Sequence, residues 1–265
     1  MPEAAAGLAA PAALPAMAGA PLPPPGPVLV ALSGGVDSAV AAWRLMQSGY
    51  AVHGVHMKNW EDDDTFGDCP HAQELTDVQA VAAHLGIPLT VVNFAREYRE
   101  RVFAEFLAEH RAGRTPNPDV LCNVHIKFGV LADWARAHGY RMLATGHYAA
   151  LARPGPRLCT ATDTDKDQTY FLSGLSRAQL DLACFPLADL RKAQVRELAR
   201  AAGLPVADKK DSTGICFIGE RPFREFLARY LPPTPGAITD PDGRVLGRHQ
   251  GRAFYTLGQR AGRVI

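Results

Sequence analysis

The stretch Val28-Leu29-Val30-Ala31-Leu32-Ser33-Gly34-Gly35-Val36-Asp37-Ser38 decides how the chain reads. A short apolar run stops at a serine and two glycines. Ser38 to Gln47 then follows as an Ala-rich helix closed by Gly49. A buried strand that turns through glycine into a helix offers successive backbone N–H groups and a helix N-terminus, together a ready anion site. Ser33 and Ser38 add hydroxyl donors. The lysine of the GxxxxGK[ST] loop is missing, so a kinase-type phosphate loop is excluded. The string suits a released pyrophosphate better than a transferred γ-phosphate. A tight glycine turn before a helix is the plain alternative.

Outward from the loop, Tyr50 to Met57 reads as a second strand and Glu61 to Asp68 as an Asp-rich loop. Asp77 to Leu85 reads as a helix and Leu89 to Phe94 as a third strand. Tyr98 to Ala112 and Ile126 to Ala137 read as helices, and Tyr140 to Ala144 as a strand ending in Thr145-Gly146-His147. Strands alternating with helices of this length signal βαβ units, hence an α/β fold with a Rossmann-like parallel sheet. Ligands of such sheets sit at the carboxyl ends of the strands. Ser33 to Ser38, Met57 onward and Thr145 to Tyr148 all fall there.

After about residue 210 the composition changes. Pro and Gly become dense, apolar runs shorten, and Asp242-Gly243 between two such runs is a hairpin signal. The expected organisation is a disordered Ala/Pro tail over 1–27, a nucleotide domain over 28–211, and the start of a smaller β-rich module over 212–265. The last residues, Arg263-Val264-Ile265, follow a fresh strand-like stretch, which suggests an unfinished domain.

The 265 residues carry a net charge of only +1, so no global electrostatic argument for nucleic acid exists. RNA contact would need a local basic face. No run approaches the roughly 18 apolar residues of a membrane span. The first 27 residues hold one charge, Glu3, and prolines at 11, 15, 21 and 23–25 interrupt any signal-like core. The chain therefore reads as cytoplasmic, with no membrane partner. Five cysteines stand at 69, 122, 159, 184 and 216, with no CxxC pair. In a reducing compartment that set is no disulfide framework, and no zinc or iron–sulfur motif is written in it.

Cys122 lies three residues after Asp119, beside the turn Asn117-Pro118-Asp119. In a helical turn that spacing puts both on one side. A thiol reacts as thiolate, and a neighbouring acid can carry its proton. A small buried hydrophobe is the other reading. Cys216 sits among apolar residues bracketed by Gly214 and Gly219, where a core cysteine reads equally well. Cys69 lies in an acidic loop, while Cys159 and Cys184 read as filler in a hairpin and a core. Lys166-Asp167-Gln168 alone is a solvated loop, and Met57 either lines an apolar slot or fills the core.

Taken jointly, the motifs resemble a known family. SGGVDS resembles the signature of ATP pyrophosphatases (the PP-loop superfamily). Met57-Lys58-Asn59-Trp60, the segment from Gly113 to Asn123, Ile126-Lys127-Phe128, Ala144 to Tyr148, Asp165 to Leu172, Lys209 to Gly219 and Tyr255 to Arg260 are similar to tRNA-specific 2-thiouridylases, the MnmA family. The resemblance runs in order over about residues 28 to 262. It implies an adenine nucleotide alpha hydrolase-like fold, followed by a C-terminal β-barrel that this chain would lack.

The resemblance also implies roles. ATP would be bound by Ala31, Leu32, Ser33, Gly34, Gly35, Val36, Asp37, Ser38, Met57 and Gly146, with Mg2+ between the phosphates and Asp37. Cys122 would be the nucleophile, Cys216 the persulfide carrier and Asp119 the acid/base. Contacts to tRNA would come from Asn117, Pro118, Asp119, His147, Lys166, Asp167 and Gln168. The implied activity is ATP-dependent 2-thiolation of the wobble uridine of tRNA, fed by a sulfur-donor protein. Related thiolases with CxxC hold an iron–sulfur cluster. Asp at 119 leaves too few cysteines for one, so no metal from a protein cluster is expected. Another ATP pyrophosphatase, such as an amidotransferase-type synthetase or argininosuccinate-type ligase, is the alternative enzyme. A module that binds ATP and RNA without chemistry is the non-enzymatic one.

Overall fold

The computed structural model describes residues 25–61, 70–152, 154–211 and 223–255. The chain opens with β1 (Pro27–Ala31), α1 (Val36–Gln47), β2 (Ala51–Lys58), α2 (Pro70–Leu85) and β3 (Leu89–Asn93). A continuous helical run follows: α3 (Ala95–Tyr98), a π-helical stretch Arg99–Phe103, and α4 (Ala104–Arg111). A second such run joins α5 (Pro118–Cys122) through π-helical Asn123–Val130 to α6 (Leu131–Ala137). Then come β4 (Leu143–Ala144), the hairpin β5 (Ala150–Ala152) and β6 (Arg157–Cys159), and α7 (Arg177–Leu182) running straight into β7 (Ala183–Cys184). The described part ends with α8 (Lys192–Ala201), α9 (Phe223–Ala228), β8 (Gly236–Thr239) and β9 (Val245–His249).

Five strands form one parallel sheet in the order β3-β2-β1-β4-β7. The α/β, Rossmann-like expectation holds, and β8 with β9 makes the small antiparallel C-terminal element. β1 is central, and Val28, Leu29 and Val30 have no exposed surface. A parallel strand covered on both faces reads as an unbroken apolar run for that reason. Its alternate residues feed different cores. Leu29 and Ala31 join Val55, Met57, Phe103 and Cys122, while Val28, Val30 and Leu32 join Ala42 and Leu45 of α1 and Val78 of α2.

Several boundaries differ from the sequence reading. α1 begins at Val36 rather than Ser38, because Gly35 is already the extended cap residue. The helix expected from Ile126 begins at Pro118. There the Asn117 side-chain oxygen accepts from the N–H groups of Asp119 and Val120, and a proline at the first helical position forfeits nothing. The strand expected over Tyr140–Ala144 is only the pair Leu143–Ala144. The expected tail up to residue 24, and the Asp-rich loop from residue 62, lie outside the described residues. Among the described residues no helix is long and apolar enough to cross a membrane.

Candidate active site

The carboxyl ends of β1, β2 and β4 converge on the loop Ser33 to Gly35 and the start of α1. Gly34 has φ +76°, and a side chain there would meet the Glu74 carbonyl oxygen at 2.9 Å. Glycine answers both constraints. The Ser38 hydroxyl accepts from the Ser33 N–H at 3.2 Å and donates to the Gly35 carbonyl at 3.1 Å, which ties the loop to the helix it feeds. Gly146, just past β4, lies so close that a Cβ would stand 2.7 Å from the Ser38 nitrogen. The expected ATP residues Ala31 to Ser38 and Gly146 are thus brought together. Met57 is buried beside Ala31 and Leu29 in the core, 5% exposed.

Two lysines from distant segments close on this loop, and sequence reasoning assigned neither to it. Lys192, first residue of α8, donates to both Asp37 carboxylate oxygens at 2.7 Å and pairs with Asp211 at 2.8 Å. The Tyr148 hydroxyl donates to the same Asp37 carboxylate at 2.8 Å. Burial and the neighbouring Asp37 charge raise the Tyr148 phenol above its ordinary range, so it stays a donor. Lys209 donates to the Gly34 carbonyl at 3.0 Å and to Asp77 at 2.5 Å. Burial raises the Glu74 carboxyl against the opposing pull of Lys209. Nothing local in the sequence marks Lys192, whose partner Asp37 is 155 positions away.

Asp211 is the hub of the surrounding charges. Besides Lys192 it takes Lys166 at 3.0 Å and Arg196 at 2.8 Å. Burial pulls its carboxyl up, but the hydrogen bonds and charges of Lys192 and Lys166 prevail and hold it at about 2. Lys166, expected as a solvated cation, is therefore already paired. Asp167 accepts from the Thr169 N–H and hydroxyl, and Gln168 exchanges two hydrogen bonds with the Tyr148 backbone.

Asn117, Pro118, Asp119 and Cys122 share one helix start, with Asp119 half-buried in its first turn and Cys122 0% exposed in the main core. A carboxylate in a first turn faces the positive end of the helix dipole. Cys216 lies outside the described residues. Lys192 bridges Asp211 to Asp37, and Phe226 and Leu227 of α9 share the core cluster of Cys122. His147 bonds the Thr145 hydroxyl through Nδ1 at 2.7 Å. Burial first, and the Lys127 charge second, lower its imidazole well below the ordinary range, so it is neutral at pH 7. Cys159 lies on the β5–β6 hairpin and Cys184 is buried on β7, both as expected. Among the described residues no three His, Cys, Asp or Glu side chains are grouped to hold a metal ion.

A parallel sheet whose central strand turns through SGG into a helix, with lysines converging on the turn, defines a Rossmann-like α/β domain with a candidate anion site at that turn. Residues 26–220 match the family model described as the tRNA methyl transferase HUP domain, and residues 224–265 match the tRNA methyl transferase PRC-barrel domain. The chain belongs to this family, among the tRNA-specific 2-thiouridylases. It is 57% identical over 237 residues to tRNA-specific 2-thiouridylase MnmA of Methylobacillus flagellatus, covering 89% of this chain and 66% of that protein. The protein of the same name from Thiobacillus denitrificans is 60% identical over 238 residues, again 89% of this chain and 66% of that one. The chain spans just under two thirds of the length of these curated relatives. Among solved structures, NMN synthetase from Francisella tularensis aligns with 71% of this chain and 66% of that one, at 21% identity and a TM-score of 0.43.

Proposed function

We propose that the chain uses ATP to adenylate the wobble uridine of tRNA and then replaces its O2 with sulfur. One observation carries the reading: two glycines without room for a side chain and two lysines surround the start of α1, in a chain whose relatives are 2-thiouridylases. ATP would lie across Ala31 to Ser38, Met57 and Gly146. Lys192 and Lys209 would exchange their present carboxylate and carbonyl partners for the departing pyrophosphate. Mg2+ completes its shell largely from phosphates and water and takes few carboxylates. Asp37, whose two oxygens Lys192 now holds, would become its protein ligand once that lysine turns to the pyrophosphate. When bound, the ion supplies neutralising charge to the phosphates.

In the reaction the uridine O2 forms a bond to the α-phosphorus and the bond to pyrophosphate breaks, with Asp119 taking the N3 proton. The uridine must leave its stack to be reached. The terminal sulfur of a persulfide on Cys216, charged by a sulfur-donor protein, attacks C2 and AMP departs. Cys122 thiolate then attacks the Cys216 sulfur. The S–S electron pair stays on the 2-thiouridine, and a Cys122–Cys216 disulfide remains for an external thiol to reduce. Asn117, Pro118, His147, Lys166, Asp167 and Gln168 would contact the tRNA, and the cytoplasm is the proposed compartment. The division of the chain near residue 212 belongs to the same proposal.

Pyrophosphate release from ATP, followed with and without tRNA, tests this reading. Release should rise when tRNA is added. Equal release in both would favour a synthetase that acts on a small molecule.

A further inference from the structure

Tyr170 is 54% exposed, unlike Leu172 of the same turn, which is buried. The 3-10 turn Thr169–Leu172 that carries it is built with unusual care for a surface loop. Asp167 caps its start through the Thr169 N–H and hydroxyl. Asn123, the residue after Cys122 and itself 1% exposed, donates its amide to the Phe171 carbonyl at 3.1 Å. Gly174, two residues beyond the turn, presses onto the same helix: a Cβ there would stand 2.8 Å from the Val124 Cγ2 and 3.5 Å from the Val120 Cγ1. The turn is thus locked to the helix of Asp119 and Cys122, and its aromatic ring faces solvent.

The ring is also backed. Its centroid lies 3.9 Å from that of Phe171, tilted by 36°, so one side is backed while 54% of the residue stays exposed. The charges near it are carboxylates. Asp119 and Asp167 both raise the Tyr170 phenol, after burial as the larger cause. Carboxylates repel a phosphate, so the group suited to this position is uncharged and planar. Exposed aromatic side chains hold unpaired nucleobases by stacking, because every base has a π-face.

We infer that Tyr170 is a stacking platform for an unpaired RNA base delivered next to Asp119 and Cys122. This rests on the tRNA reading above and adds to it a residue that positions the substrate without touching ATP. The ring, not the hydroxyl, does the work.

The test uses an anticodon stem-loop RNA carrying 2-aminopurine at the wobble position or at the position 3′ to it. Binding to the parent chain should quench the fluorescence of at least one probe. Tyr170→Ala should lose that quenching and bind the RNA roughly 5- to 100-fold more weakly, the range expected for one stacked base. Tyr170→Phe and Tyr170→Trp should keep both. Thermal unfolding of each variant at the parent's temperature separates the effect from misfolding. Parent-like quenching by Tyr170→Ala overturns the inference while the tRNA reading stands. Failure of the parent chain to bind the RNA at all overturns both.

Discussion

Lys192 grips both carboxylate oxygens of Asp37 at 2.7 Å across 155 residues of sequence. This pair joins the N-terminus of α8 to the N-terminus of α1 and supplies, from the far half of the domain, a cation that the SGGVDS string lacks. Its side chain is 15% exposed, so it is placed rather than wandering. A lysine that can change from a carboxylate to a phosphate keeps its charge paired throughout.

Replacing Lys192 by Ala should therefore cut kcat/KM for ATP by about 10- to 100-fold, the loss of one charge-assisted hydrogen-bond set worth ~1.5–3 kcal/mol. Lys192→Arg should recover part of it. Steady-state pyrophosphate release at varied ATP checks this, and parent-like kinetics in Lys192→Ala would remove the lysine from the site.

Gly146→Ala tests the close approach of β4 to α1. The new methyl would meet the Ser38 nitrogen at 2.7 Å and the Asp37 carbonyl carbon at 2.8 Å, both backbone atoms that no rotamer change can move. We expect about 1–3 kcal/mol of destabilisation from overpacking and a clear fall in ATP affinity. Calorimetric titration with ATP and a denaturant melt measure the two separately.

Acid should loosen the site through Asp211. Its folded carboxyl titrates near 2, below the ~3.9 of an unfolded aspartate. A depressed carboxylate contributes stability that is fully present above the unfolded value and is lost as pH falls through the folded one. The window is thus about pH 4 down to 2. Denaturant stability of the parent should drop faster than that of Asp211→Asn across this interval, and identical slopes would contradict the pairing.

Arg44 is 1% exposed and meets Asp189 with two hydrogen bonds, at 2.6 and 3.1 Å, and the Pro186 carbonyl at 2.6 Å. Arg44→Ala strands a buried carboxylate and should cost about 3–5 kcal/mol. A double cycle with Asp189→Ala should show strong coupling. Additive losses would mean the pair acts independently.

The part of this account legible in the sequence is the part governed by local rules. An apolar strand, a glycine turn and an Ala-rich helix closed by a glycine announce β1, the loop and α1. β7 was not legible, because Ala183-Cys184 is two residues long and owes its extended state to pairing with Leu143 and Ala144. The start of the Cys122 helix was missed because the Asn117 cap and Pro118 read as a turn until the helix they open is seen. The pairing of Lys192 with Asp37 and of Lys209 with Asp77 was invisible, since charge pairing over more than a hundred residues leaves no periodic trace.

Mass spectrometry of tRNA nucleosides after incubation with ATP, a persulfide donor and a thiol reductant shows whether this chain thiolates uridine. The parent chain should form 2-thiouridine only when ATP is present, while Cys122→Ser and Cys216→Ser should form none. Normal 2-thiouridine from either variant, or formation without ATP, would contradict the account.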